Sequence, residues 1–196
     1  MNNRLKIQDI ITIALLAALF IALYYLTMAI SMPLGAMGHA ISPGIQFLIA
    51  GPVVFYIAHK VGKMWQFTLF SAIIMLVFSI MGAGYLPWII TTMVAALIAD
   101  LMVSKSNNPS NVSLACASGI LAVGQAWGAI VPSWFFVESY RSEWISRGVS
   151  PDEMDAMISS TQGMMGVLST VLCFVLAFIG IYLGYLVLRK HFKLTN

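Results

Sequence analysis

Residues 10–32 read IITIALLAALFIALYYLTMAISM, without one Asp, Glu, Lys or Arg. A bilayer core needs roughly 20 consecutive apolar residues in a helix, so this stretch predicts a membrane span. It is too long for the apolar centre of a signal peptide and lacks a clear small-residue cleavage site, which predicts a retained helix. Five further apolar runs follow, at about 44–58, 65–81, 88–103, 112–137 and 163–188. Together they predict an all-α integral membrane protein, a bundle of six transmembrane helices forming one membrane domain over residues 1–196. With 60% hydrophobic and 9% charged residues, the chain is far from the about 25% charged content of a soluble domain.

Charge placement orients the bundle. Arg4, Lys6, Lys60, Lys63, Lys105, Arg189, Lys190 and Lys193 fall in segments that six spans put on one side. Arg141 and Arg147 lie opposite, among Glu138, Glu143, Asp152, Glu153 and Asp155. An excess of Lys and Arg marks the cytoplasmic side. Both termini are therefore expected inside, and residues 138–162 outside. The net charge of +3 is explained by the cytoplasmic ends and points to no nucleic-acid partner.

Between the spans, breakers set expectations. Pro33 to Pro43 is rich in Gly and Pro and predicts a structured extracellular loop. Span 2, with Gln46, Gly51 and Pro52, is expected to be kinked or enclosed by protein. Ser150-Pro151-Asp152-Glu153 is a helix start, with Ser150 as cap and Pro151 at the first position. Met154, Met157 and Ile158 then share one face. This predicts a short extracellular amphipathic helix, either a lid over a pocket or a passive surface element.

Several residues are candidates for function. Ala14, Ala18 and Ala22 form a ladder of small residues along span 1. Small residues four apart let another helix approach closely, either from a partner or from within the bundle. Asp100 is the acidic residue well inside an apolar run. A carboxylate there is a functional candidate by default, but its place near the basic end favours a structural polar role. Cys116 and Cys173 lie inside apolar runs and are expected to pack.

His39, Gln46, Tyr85, Trp88, Gln125, Trp127 and Trp134 lie toward the expected outer half, with Tyr140 and Trp144 beside them. Aromatics alone would form an interfacial belt. Amides at the same depth are what a small-molecule site adds, so these are the candidate substrate-binding residues. Methionines on the same side offer a soft lining for a flat apolar ligand. A lone loop histidine such as His39 assigns no metal or resident cofactor. The chain carries no Gly-x-Ser-x-Gly, His-Glu-x-x-His or phosphate-binding Gly-rich loop with Lys, so no hydrolase or ATPase activity is expected of it.

Four stretches carry a family resemblance. They are the basic N-terminus running into Leu5-Lys6-Ile7-Gln8-Asp9 and the alanine ladder; Ala50-Gly51-Pro52-Val53 leading to Ala58-His59-Lys60-Val61-Gly62-Lys63; Ala95-Ala96-Leu97-Ile98-Ala99-Asp100, with Asp in place of the Glu that the pattern leads one to expect; and Gly180 and Gly184 before Leu188-Arg189-Lys190-His191. Over nearly its whole length the chain resembles the substrate-binding S components of energy-coupling factor (ECF) transporters, and among them the Trep_Strep (MptD-like) group. The resemblance implies capture of a micronutrient at the outer face of a bacterial cell membrane. It also implies docking through Ala14, Ala18 and Ala22 onto a transmembrane coupling subunit driven by two ATPase subunits, with the loops after spans 1, 3 and 5 closing the pocket. With no ionised residue deep in the outer half, haem or a related tetrapyrrole is the first substrate expected, and a heterocyclic vitamin or precursor the second. A small membrane enzyme and a ligand-free structural membrane subunit are the alternatives. An enzyme would need convergent titratable groups at one depth.

Overall fold

A computed structural model describes residues 4–104 and 109–192. Among these residues it is all-helical, with no strand. The elements are α1 (Ile7–Ser31), a 3₁₀ turn (Met32–Leu34), α2 (Gly35–Ile49), α3 (Gly51–Lys60), α4 (Gln66–Ile80), α5 (Leu86–Val103), α6 (Asn111–Phe135), α7 (Val137–Ser146), α8 (Pro151–Thr161) and α9 (Gly163–Phe192). Four stretches are long and apolar enough to cross a membrane: Ile7–Ile49, α5, α6 and α9. This differs from the six separate spans expected. At about 1.5 Å rise per residue, α4 falls short of a bilayer core of about 30 Å, and the segment expected as span 2 is broken in two.

That segment departs most from expectation. Only Met32–Leu34 turns, and α2 begins at Gly35 with Pro43 inside it. The expected loop is thus mostly helix. Pro43 lacks the N–H that would bond the His39 carbonyl one turn back. The Ser42 hydroxyl donates to that carbonyl instead, at 2.9 Å. The helix breaks at Ala50, whose N–H still bonds the Gln46 carbonyl at 2.8 Å. Pro52 falls in the first turn of α3, where a missing N–H costs nothing.

Small residues let α2 and α3 sit between the other helices. A Cβ on Gly51 would lie 2.0 Å from the Gly180 carbonyl oxygen, and one on Gly180 would lie 2.3 Å from the Phe47 carbonyl oxygen. Gly44 meets the Cys173 backbone in the same way. Backbones packed this closely leave no room for a Cβ on Gly44, Gly51 or Gly180. Cys173 is a free, buried packing residue and Cys116 is also free.

Asp100 is fully buried, and its carboxylate accepts from the Phe67 N–H at 3.0 Å and the Thr68 N–H at 2.8 Å. It satisfies the open first turn of α4 from the neighbouring helix. Lys63 pairs with Asp9 across the α1 and α3–α4 ends, and Phe192 packs its ring near Tyr56 and His59. Arg4, Lys6, Lys60, Lys63, Arg189 and Lys190 thus gather at one end of the bundle. Lys105 and Lys193 lie outside the described residues. The expected loop 138–162 holds two helices, α7 and α8, rather than one. Ser150 caps α8, accepting from the Glu153 N–H at 3.3 Å.

Candidate ligand cavity at the α7 end

A cavity of about 290 Å³ opens between α1, α2, the α4–α5 turn, α5, α6 and α7. Its walls are two groups of rings. Tyr24 from α1 meets Phe78 from α4 at 4.9 Å, and Phe78 meets Trp88 from α5 at 5.5 Å. Tyr85, Tyr140 and Trp144 also line it and pack against one another, with centroids 5.6 to 6.5 Å apart. Tilted and edge contacts of this kind suit the ring quadrupoles. Burial pushes the Tyr85 and Tyr140 phenols above the ordinary tyrosine value, so both stay neutral. Among the described residues, no Asp, Glu, Lys or Arg lines the cavity.

Of the residues expected to bind a substrate, His39, Gln46, Tyr85, Trp88 and Gln125 all line this one cavity. Trp127 and Trp134 do not. Trp127 is on the outer face of α6, where its indole donates to Thr170 at 3.2 Å beside an apolar groove. Trp134 donates to the Thr161 carbonyl at 2.8 Å, joining α6 to the end of α8. The helix turns about 100° per residue. Trp127 therefore points away from the face that carries Gln125, Gly128 and Ala129. Tyr24 and Tyr25 were not singled out from sequence. Tyr24 follows Phe20 by one turn on the buried face of α1, and that spacing was the available signal.

The polar groups of the cavity differ in how free they are. Gln46 is 1% exposed. Its oxygen accepts from the Thr27 hydroxyl at 2.6 Å, and its amide donates to the Phe20 carbonyl at 2.8 Å. Gln46 is thus spent on α1. The Gln125 amide makes no hydrogen bond among the described residues. The Trp144 indole N–H is buried and likewise has no partner. Over the Trp144 ring lies the Arg147 guanidinium, 5.2 Å from its centroid. Arg147 also donates to the Gly82 carbonyl at 3.2 Å and the Gly84 carbonyl at 2.8 Å, fastening α7 to the α4–α5 turn.

Two other expected elements have defined places. Met154 and Ile158 of α8 are buried against Tyr140, with Met157 at the edge of that cluster. They back the cavity wall from behind and do not line it. Ala14, Ala18 and Ala22 are exposed, on the side of α1 opposite buried Ile13, Ala17 and Phe20. The ladder thus lies along the exposed face of α1.

A sequence-family model described as hypothetical bacterial integral membrane protein matches residues 7–193. No curated protein and no solved structure matches the chain.

Proposed function

The chain belongs to the Trep_Strep family of hypothetical bacterial integral membrane proteins, and from that premise we propose that it is the substrate-capture subunit of an ECF-type importer. The observation that carries this reading is the division of labour on α1. Its inner side holds Phe20 and Thr27 against Gln46 at the cavity, and its outer side presents Ala14, Ala18 and Ala22. One helix thus touches both a small-molecule cavity and a free surface of small residues that another helix can approach. On this reading the subunit spans the cell membrane several times, with the cavity toward the outside. It docks through α1 on a coupling subunit, and two partner ATPases supply the energy.

The substrate follows from size and polarity. Ligand pockets run from about 300 to 1,000 Å³, and this one, at about 290 Å³, sits at the small end. A tetrapyrrole macrocycle is larger than this cavity, so of the two substrates expected we favour the compact heterocyclic vitamin or precursor over haem.

Isolation of the tagged chain from bacterial membranes in mild detergent tests the reading. The wild type should bring down a membrane coupling subunit and two ATPases, together with a small molecule visible by mass spectrometry. Ala14→Leu and Ala18→Leu should lose the protein partners and keep the small molecule. Recovery of the wild type without ATPases, or joint loss of partner and small molecule in the leucine variants, would overturn it.

A further inference from the structure

Taking the capture reading as its basis, we propose that His39 receives a carboxylate of the captured molecule, so that the cavity takes up a compact monoanion together with one proton. Three observations converge on this assignment.

The first is placement. His39, Ser42, Pro43 and Gln46 recur at i, i+3, i+4 and i+7, one face of α2, and all four line the cavity. Gln46 is tied to α1 at the floor. His39 stands two turns nearer the α1–α2 turn, roughly 10 Å along the helix axis. Close to it, the Ser160 hydroxyl donates to the Ala36 carbonyl at 3.1 Å and joins this end of α2 to α8.

The second is freedom. Ser42 spends its hydroxyl on the His39 carbonyl, and Gln46 spends its amide on α1. The His39 imidazole makes no hydrogen bond among the described residues. On this face of α2 it is the polar side chain left open to a ligand.

The third is charge. Among the described residues, no Asp, Glu, Lys or Arg lines the cavity. The Tyr85 and Tyr140 phenols stay neutral, and phenols such as Tyr24 and Tyr25 ordinarily do so near pH 7. Cys173 of α9 lies against the Ala40 and Ile41 carbonyls, 3.8 Å from each, and does not line the cavity. Arg147 is engaged by Glu143, Gly82 and Gly84. The field of Glu153 on α8 reaches His39, but that side chain is exposed. An imidazole has an ordinary pKa near 6.5 and gains its charge within the physiological range. His39 is thus the lining group that can turn cationic. An ion without a partner in a desolvated site is strongly disfavoured. The cavity can balance an anion by protonating His39, and it holds no group to balance a cation. Capture draws one proton from solvent to form an imidazolium–carboxylate pair. Return of that proton to solvent leaves the anion unpaired and favours release.

The test uses benzoate, benzamide and benzamidinium, which share one shape and carry negative, zero and positive charge. Each is titrated calorimetrically into the wild-type chain in nanodiscs of zwitterionic lipid, with empty nanodiscs subtracted for partitioning. At pH 6 benzoate should bind roughly tenfold or more tightly than benzamide, and benzamidinium should bind weakest. From pH 6 to 8 benzoate should weaken roughly tenfold or more while benzamide holds. At pH 7.5 the heat of benzoate binding should change with the ionisation enthalpy of the buffer, in the sense of proton uptake. His39→Gln keeps a hydrogen-bonding side chain and removes the charge. It should hold benzoate affinity within about twofold from pH 6 to 8 and leave benzamide binding as in the wild type. Equal wild-type binding of benzoate and benzamide at pH 6, or a benzoate heat independent of buffer at pH 7.5, overturns the assignment without recourse to a variant. Tightest binding by benzamidinium overturns the charge argument. A full pH dependence kept in His39→Gln gives the proton to another group and overturns the role of His39. Failure of all three probes at millimolar concentration overturns the carboxylate site, and leaves the capture reading to the partner-isolation experiment.

Discussion

Thr27 and Gln46, both 1% exposed, lock α1 to α2 through a 2.6 Å hydrogen bond at the floor of the cavity. A buried amide left without its donor costs about 1–3 kcal/mol. Thr27→Val should therefore lower stability in detergent by about that amount, read as a fall in the thermal midpoint. Gln125→Leu should behave in the opposite way: with no protein partner to lose, it should leave the midpoint in place and weaken retention of the copurifying small molecule. An unchanged midpoint for Thr27→Val would show that the pair is not a structural tie.

The α2–α3 break packs backbone to backbone against α9. Gly180→Ala would press a methyl group against the Phe47 carbonyl and the Leu48 backbone. Overpacking of this kind typically costs about 1–3 kcal/mol, and rigid backbone on both sides leaves little room for relief. Gly180→Ala should lower the thermal midpoint markedly, whereas Ala18→Leu on the exposed side of α1 should move it by no more than about 0.5 kcal/mol equivalent. Similar midpoints for the two variants would mean that the seam relaxes.

Asp100 predicts a local effect. Its carboxylate caps α4 through Phe67 and Thr68. Loss of a capping acceptor costs about 0.5–2 kcal/mol. Asp100→Ala should speed hydrogen exchange at Phe67 and Thr68 by roughly tenfold or more, the equivalent of about 1.4 kcal/mol, and leave exchange in α9 unchanged. Uniform acceleration across the chain would assign Asp100 a global role.

These features were unevenly legible in the sequence. The long apolar runs of α1, α5, α6 and α9 announce themselves, because lipid and core both select apolar side chains. Residues 35–43 misled because Gly38, Ala40, Ser42 and Gly44 are small for close packing, all four being buried, and small residues resemble loop composition. Tertiary contact outweighs local propensity there. α7 was hidden because VESYRSEWIS shows no clean apolar period, its ordered face being set by Tyr85 and Arg147. Five expected site residues meet because they cluster at one end of the bundle. Which side of α6 they occupied was the missing variable, and it separates Gln125 from Trp127.

Arg141 joins α7 to α8 through a bidentate pair with Asp155, at 2.7 and 3.1 Å. The guanidinium holds the Asp155 carboxyl below its ordinary value. A carboxyl depressed in the folded state stabilises above its unfolded pKa and loses that contribution as pH falls through the lower folded value. Protection of α8 amides, corrected for intrinsic exchange, should therefore be flat from about pH 5 to 8 and decline below about pH 4. The decline should be small, since exposed pairs contribute little, and Arg141→Gln should abolish the pH dependence. A protection profile that falls between about pH 6 and 8 would point to another titrating group.

Met154 makes the last prediction. It is fully buried at the centre of the α7–α8 cluster and stands behind Tyr140, a wall of the cavity. A short helix such as α8 is marginal alone and takes its stability from what it packs on. Truncation of a buried methionine costs about 2–5 kcal/mol, more than a peripheral helix can absorb while staying docked. Met154→Ala should therefore speed exchange across Pro151–Thr161 and leave α9 protected. With Tyr140 unsupported, the copurifying molecule should dissociate faster, while its capture rate changes little, since changes at one site act mostly on dissociation. Faster exchange with an unchanged dissociation rate would separate α8 from the cavity.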